Sequence, residues 1–280
     1  MRIPFITLAL VLTSGAALAQ IKTPQPSPAA TVTQTIGVTN ITINYSRPGV
    51  KAREIFGKLV PFGEIWRAGA NACTTIEFGD DVTIGDKKVP AGRYSFFAIP
   101  QRDEWTLVLN KNAALVGTAG YKETEDAARW KVKPEASEMT EWLTYTITPE
   151  GKDSGIVTLQ WEKVRVPFKF TVDLRASVKR AVEASMTTIK DTDVSGYYNA
   201  ARAFFENDID LNKAFEWNEM AVKIRKGPGN LSLRGRILLK QGKKGQAAES
   251  LKEAIALATE RKLDKLFIEE LNGYLAEAQK

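Results

Sequence analysis

The hexapeptide Asn40–Tyr45, NITINY, decides how the first half of this chain is read. Ile41, Ile43 and Tyr45 alternate with Thr42 and Asn44, the period of two that places every second side chain on one face of a half-buried strand. The same period runs outward in both directions. Upstream, Thr31–Ile36 forms a partner strand, with Gly37 in the turn between them. Downstream, Thr74–Phe78, Val82–Ile84, Lys87–Val89, Arg93–Ile99 and Trp105–Leu109 follow, punctuated by Gly85-Asp86 and Pro90-Ala91-Gly92. Leu115–Ala128 is irregular or briefly helical. Arg129–Val132, Glu141–Thr148, Ile156–Glu162 and Val166–Val172 then resume the alternation, the last two joined by a turn near Lys163–Arg165. Short strands separated by hairpin-sized turns argue a β-sandwich over residues 31–173 rather than alternating β/α units. Trp105, Trp142, Trp161, Phe168 and Phe170 are expected in its core.

From Asp173 the period changes to that of a helix. Asp173 caps a helix over 174–190 that keeps Leu174, Val178, Ala181, Val182 and Ile189 on one stripe. Beyond residue 191 an internal repeat emerges. Lys213-Ala214, Asn218 and Ala221 align with Gln246-Ala247, Leu251 and Ala254, an offset of 33 residues. The spacing resembles the tetratricopeptide repeat, whose period is about 34 residues. Small residues at Gly235, Ala247 and Ala254 let two helices of a hairpin touch. Two repeats are few for independent stability, so they are expected to lean on another element such as the 174–190 helix. The fold class is therefore an all-β sandwich domain followed by an all-α tetratricopeptide-like helical-hairpin domain over 191–280. Lys262–Lys280 supplies a final capping helix.

The chain begins with MRIPFITLALVLTSGAALA. Arg2, a short apolar run and Ala17-Leu18-Ala19 form the pattern of a cleaved signal peptide over residues 1–19. The apolar run is too short to span a bilayer. The expectation is export to the periplasm or beyond, with Gln20 as the new N-terminus, a flexible spacer over 20–30, and no transmembrane segment in the mature chain.

Composition excludes several chemistries. The 280 residues contain no histidine and one cysteine, Cys73. Ser-His-Asp and Cys-His catalysis, His-ligated zinc and an intramolecular disulfide are all ruled out. The net charge of +6 is spread over both halves, which gives no pattern for nucleic-acid binding. No cofactor is expected, and no metal: Asp80-Asp81 lacks the spacing of a calcium loop. Cys73 reads as buried and inert.

The segment Tyr45–Asn71, YSRPGVKAREIFGKLVPFGEIWRAGAN, fits neither period. Long irregular segments within compact domains tend to carry function. Arg47, Arg53 and Arg67 supply guanidinium forks for a carboxylate, phosphate or sulfate, Trp66 a stacking floor, and Asn71 an amide. These five residues are the candidate ligand-binding set, for an anionic or sugar-like ligand. The competing reading pairs the arginines with Glu54, Glu64 and Glu77 as staples of a long loop. Two further functions stay open: an envelope hydrolase working through carboxylates drawn from Glu54, Glu64, Glu77, Asp80, Asp81, Asp103 and Glu104, and a pure protein-interaction module acting through the helical repeats.

Four motifs carry a family resemblance. SRPGVKAREIFGKLVPFGEIWRAGANACTTIEF, VPAGRYSFFAIP, EWTLVLNKN and EWLTYTI together are similar to an exported bacterial family, domain of unknown function number 2911, over roughly Ser27–Asp173. The resemblance implies an exported β-rich domain with a helical-repeat tail. It brings no activity, ligand or catalytic residue. Cys73 stands where the family pattern leads one to expect a small or acidic residue.

Overall fold

The structure, a computed structural model, describes residues 23–280; the proposed signal peptide lies outside the described residues. Two antiparallel sheets form the N-terminal half. One has six strands in the order β1 (Ala29–Ile36), β2 (Thr39–Ser46), β3 (Thr75–Phe78), β6 (Gly92–Ile99), β7 (Trp105–Asn110) and β8 (Asp126–Val132). The other orders β5 (Lys87–Val89), β4 (Val82–Ile84), β10 (Ser154–Val172) and β9 (Glu135–Pro149). Ile41, Ile43, Ile76, Phe96 and Leu107 from the first sheet meet Leu143, Val157, Leu159, Phe168 and Phe170 from the second in one core. Period-two burial thus gives each sheet a dry inner face, and the two inner faces close on each other; at Phe97 and Val108 the outer face of the six-stranded sheet is dry as well.

Three expectations need correction. The two strands expected at Ile156–Glu162 and Val166–Val172 are one strand of 19 residues. No turn forms at Lys163–Arg165. Instead Glu162 takes φ 55°, and the register against β9 shifts on either side of it. A bulge bends the strand and shifts its phase, so that the inward set passes from Val157, Leu159 and Trp161 to Val166, Phe168 and Phe170. Pro167 is tolerated because the ladder with β9 ends at Arg165 and that with β4 begins at Thr171. The second correction is Trp142, which is 39% exposed. It shares the outward parity of Thr144 and Thr146, while Leu143, Tyr145 and Ile147 point inward. The third concerns Ala29 and Ala30, assigned to a spacer, which pair with Ser46 and Tyr45 in β1.

Six helices follow: α1 (Leu174–Met186), α2 (Val194–Glu206), α3 (Leu211–Ile224), α4 (Pro228–Lys240), α5 (Lys244–Glu260) and α6 (Lys265–Ala278). Asp173 accepts the Ala176 N–H and starts α1 directly after β10. Helices α2 and α3 form one hairpin and α4 and α5 a second, in tetratricopeptide-like packing, with α6 against the second. Their seams are built from small residues. Ala201, Ala214, Ala221, Ala247 and Ala254 are fully buried. A Cβ on Gly235 would stand 2.5 Å from Leu251 Cγ, so α4 and α5 meet at a distance only glycine allows. Ala201 fills the small position of the first repeat. Asn218, at a position apolar in the second repeat, is buried and donates to Asn230 O at 2.9 Å, which ties α3 to α4. Among the described residues no helix is long and apolar enough to cross a membrane.

Helix α1 joins the two halves. Buried Asp80 accepts Thr39 Oγ1 at 2.6 Å and pairs with Arg180 of α1. Ser177 Oγ lies 3.3 Å from the same threonine hydroxyl. Gly37 turns between β1 and β2 with φ +60°, and a Cβ there would meet Leu174 Cδ1 at 2.6 Å. On its other side α1 packs Val182 and Met186 into the α2–α3 cluster, and Arg175 donates to Asp208 O beside that hairpin.

Candidate functional site

The segment Tyr45–Asn71 is not a free loop. It feeds Val50, Ile55, Val60, Trp66 and Ala68 into the sandwich core. It is fastened by backbone bridges at both ends: Gly49 pairs with Trp142, and Trp66 with Ala98. The Trp66 N–H reaches Ala98 O at 2.8 Å, and the Ala98 N–H returns to Trp66 O at 2.9 Å. Its lack of period has a backbone cause. Lys51, Ala52, Ala68 and Asn71 all take positive φ, as do Gly57 and Gly63. Such residues persist only where surrounding contacts over-determine them.

Four of the five candidate residues spend polar atoms on the protein's own groups. Arg47 donates through Nε to Leu143 O at 3.0 Å and through Nη2 to Thr144 Oγ1 at 2.8 Å. Arg53 closes its own turn, with Nε to Val50 O at 3.0 Å and Nη2 to Gly49 O at 2.6 Å. Asn71 Nδ2 donates to Ser27 O at 3.1 Å. Trp66 is buried, stacked on Trp161 at 5.9 Å, with its indole N–H on Gly69 O at 3.2 Å. Only Arg67 has a buried nitrogen, Nε, with no partner. The forks of Arg47 and Arg53 therefore end on backbone carbonyls and a hydroxyl, and not on Glu54, Glu64 or Glu77, which are all exposed.

Arg67 lies near Cys73, on the outer face of the six-stranded sheet. There Cys73, Phe97 and Val108 are covered by Leu115 and Tyr121 from the long segment before β8. The thiol donates to Gly117 O at 2.9 Å. Burial pushes the Cys73 thiol above its ordinary value, and the Arg67 charge offsets only part of that rise. A thiol held protonated is a poor nucleophile. Under the same cover, Asp126 accepts from Asn110 Nδ2, Tyr121 Oη and Arg129 Nε, a polar network closed on itself.

The remaining carboxylates are scattered. Asp80 is committed to Thr39 and Arg180, Asp81 accepts the Ala91 N–H at 2.8 Å, and Glu104 pairs with Lys131. Among the described residues no group of three or more His, Cys, Asp or Glu side chains is placed to hold a metal ion.

The helical half holds what sequence reasoning missed. Phe205 of α2, Arg236 and Lys240 of α4, and Tyr274 and Glu277 of α6 surround an open cavity of about 290 Å³. The Arg236 guanidinium sits 5.0 Å from the Phe205 ring centre and 5.2 Å from that of Tyr274, and Lys240 Nζ is 5.5 Å from Phe205. The usable signal was the Arg236 and Lys240 pair, four apart on α4 and opposite in face to Leu231 and Leu238.

No curated protein was found to match the chain. The model of the family described as "Protein of unknown function (DUF2911)" matches residues 27–170, the sandwich and just over half of the chain, and the chain belongs to that family.

Proposed function

We propose that the protein is an exported, non-catalytic docking protein. The sandwich anchors and orients a short helical-repeat unit, and the face shared by α2, α4 and α6 takes a peptide segment bearing acidic and apolar side chains. The observation that carries this reading is the cation-and-aromatic stack of Arg236 between Phe205 and Tyr274. A guanidinium held against two rings is pre-oriented to meet a carboxylate while the rings offer apolar contact. In this reading Arg47 and Arg53 clamp the plug to the sandwich. A site for an anionic or sugar-like ligand on the sandwich reduces to Arg67, whose Nε is unpartnered. Export rests on the leader pattern and requires a mature chain beginning at Gln20, which intact mass of the exported protein checks.

The test is capture from an envelope extract with the full chain and with an Arg236→Ala, Tyr274→Ala variant of unchanged melting temperature. A partner bound by the first and lost by the second supports docking. Equal recovery by both removes this face from the function. Turnover of a glycoside or ester that depends on Glu54, Glu64 or Glu77 would replace docking with hydrolysis.

A further inference from the structure

A second cavity opens at the other end of α2 and α4, away from the Arg236 stack. About 360 Å³ lies where the α3–α4 turn and the α5–α6 turn meet the start of α2. Arg225, Lys226 and Arg261 line it, with Tyr198 and Gly229, and no carboxylate does. Lys226 is tied to Glu253 at 2.6 Å. Arg225 and Arg261 have no ion-pair partner among the described residues, whereas Arg180 and Arg234 are paired with Asp80 and Glu219.

The turn that carries Arg225 is fixed before any ligand arrives. Asn230, buried at 6% exposure, accepts the Gly227 N–H at 2.9 Å and donates to Arg225 O at 2.9 Å. The Arg261 and Tyr198 side chains stand at contact distance from this turn. A Cβ at Gly227 would lie 4.0 Å from Arg261 Nη1, and one at Gly229 3.6 Å from the Tyr198 hydroxyl. Two unneutralised guanidinium groups in one concavity repel each other, and that repulsion is relieved by an anion. A carboxylate saturates one fork. A phosphate ester has three peripheral oxygens and close to two charges, enough for two forks and a phenolic donor.

We propose that this cavity binds the phosphate group of a phosphate ester. Arg225 and Arg261 grip it from two sides, Tyr198 donates a third hydrogen bond, and Lys226 adds field while remaining bound to Glu253. The proposal does not depend on the docking face, which lies at the opposite helix ends.

Glycerol 3-phosphate is the soluble probe, titrated into isotope-labelled full-length protein at low salt while the Gly227 and Gly229 amides are followed. Vesicles containing phosphatidic acid, whose headgroup is a phosphate monoester, form the second arm. Saturable shifts with the soluble ester, absent with glycerol, support the proposal. Shifts with the vesicles alone, lost in the arginine variants, assign the phosphate to a lipid headgroup. Arg225→Ala and Arg261→Ala are each expected to weaken binding roughly tenfold, and Arg261→Lys less, because charge survives but the fork does not. Unmoved amides in both arms, or wild-type affinity in the folded double variant, would overturn it.

Discussion

The two halves of the molecule solve the packing problem with opposite side chains. The sandwich is filled by rings. Trp66, Trp105, Trp161 and Phe56 meet one another at centroid separations of 4.9 to 6.4 Å. The helical half keeps one close ring pair, Phe204 on Trp217 at 4.6 Å, but its hairpin seams are sewn by alanine and glycine, with Gly235 against Leu251 as their tightest point. The reason is geometric. Facing sheets stand about 10 Å apart and need large side chains to fill the gap. Helices of a hairpin approach until their backbones nearly touch, and each added carbon separates them. A loss of volume therefore wounds the first half, and a gain of volume wounds the second.

The largest expected effect is Trp161→Ala. The residue is 1% exposed and stacks on Trp66, so truncation should cost about 3–5 kcal/mol of sandwich stability. Chemical denaturation followed by near-ultraviolet dichroism measures this, and a cost below about 1 kcal/mol would break the contrast. Next comes Gly235→Val, where added volume has nowhere to go: about 1–3 kcal/mol is expected, confined to the helical signal. Hydrogen exchange of α4 and α5 should rise while the sandwich strands stay protected. If both halves lose protection equally, the two cores are not energetically separate.

The smallest effect sharpens the comparison through pH. Complete burial raises the Tyr145 hydroxyl well above its ordinary value of 10.0, and the hydroxyl donates to Ala68 O at 2.7 Å. The folded state therefore holds this proton more tightly than the unfolded chain. The associated stability is intact below pH 10 and declines as pH rises from there toward the folded-state value. Tyr145→Phe should cost about 1 kcal/mol at neutral pH by removing one of the two donors to Ala68 O, Thr74 Oγ1 remaining at 2.9 Å, yet flatten the alkaline decline. A variant with the same alkaline slope as the wild type would place the sensitive group elsewhere.

Much of this architecture was legible from periodicity. NITINY displays the inward set of β2, and the 33-residue echo of alanines displays the hairpin seams. What escaped notice did so for physical reasons. Lys163 and Arg165 look like a turn because both are charged, but charge is also what the solvent face of a continuing strand carries. Trp142 looks like core by its identity, whereas its parity sends it outward. The partners of Arg47 and Arg53 are, apart from the Thr144 hydroxyl, carbonyl oxygens, which every residue owns and no sequence pattern marks. Arg225 and Arg261 come from different turns, and only the packing of α3 on α4 and α4 on α5 brings them to one cavity.

The absence of a spacer between β10 and α1 has a mechanical side. Val172 ends the strand, Asp173 caps the helix, and Leu174 already lies against Gly37. Tension applied to the helices reaches β10 along its own axis, where the long ladder with β9 shares the load as shear instead of opening rung by rung. The helical unit is thus coupled to the sandwich through β10 and α1 with no spacer between, and a partner bound as proposed would be oriented by the sandwich.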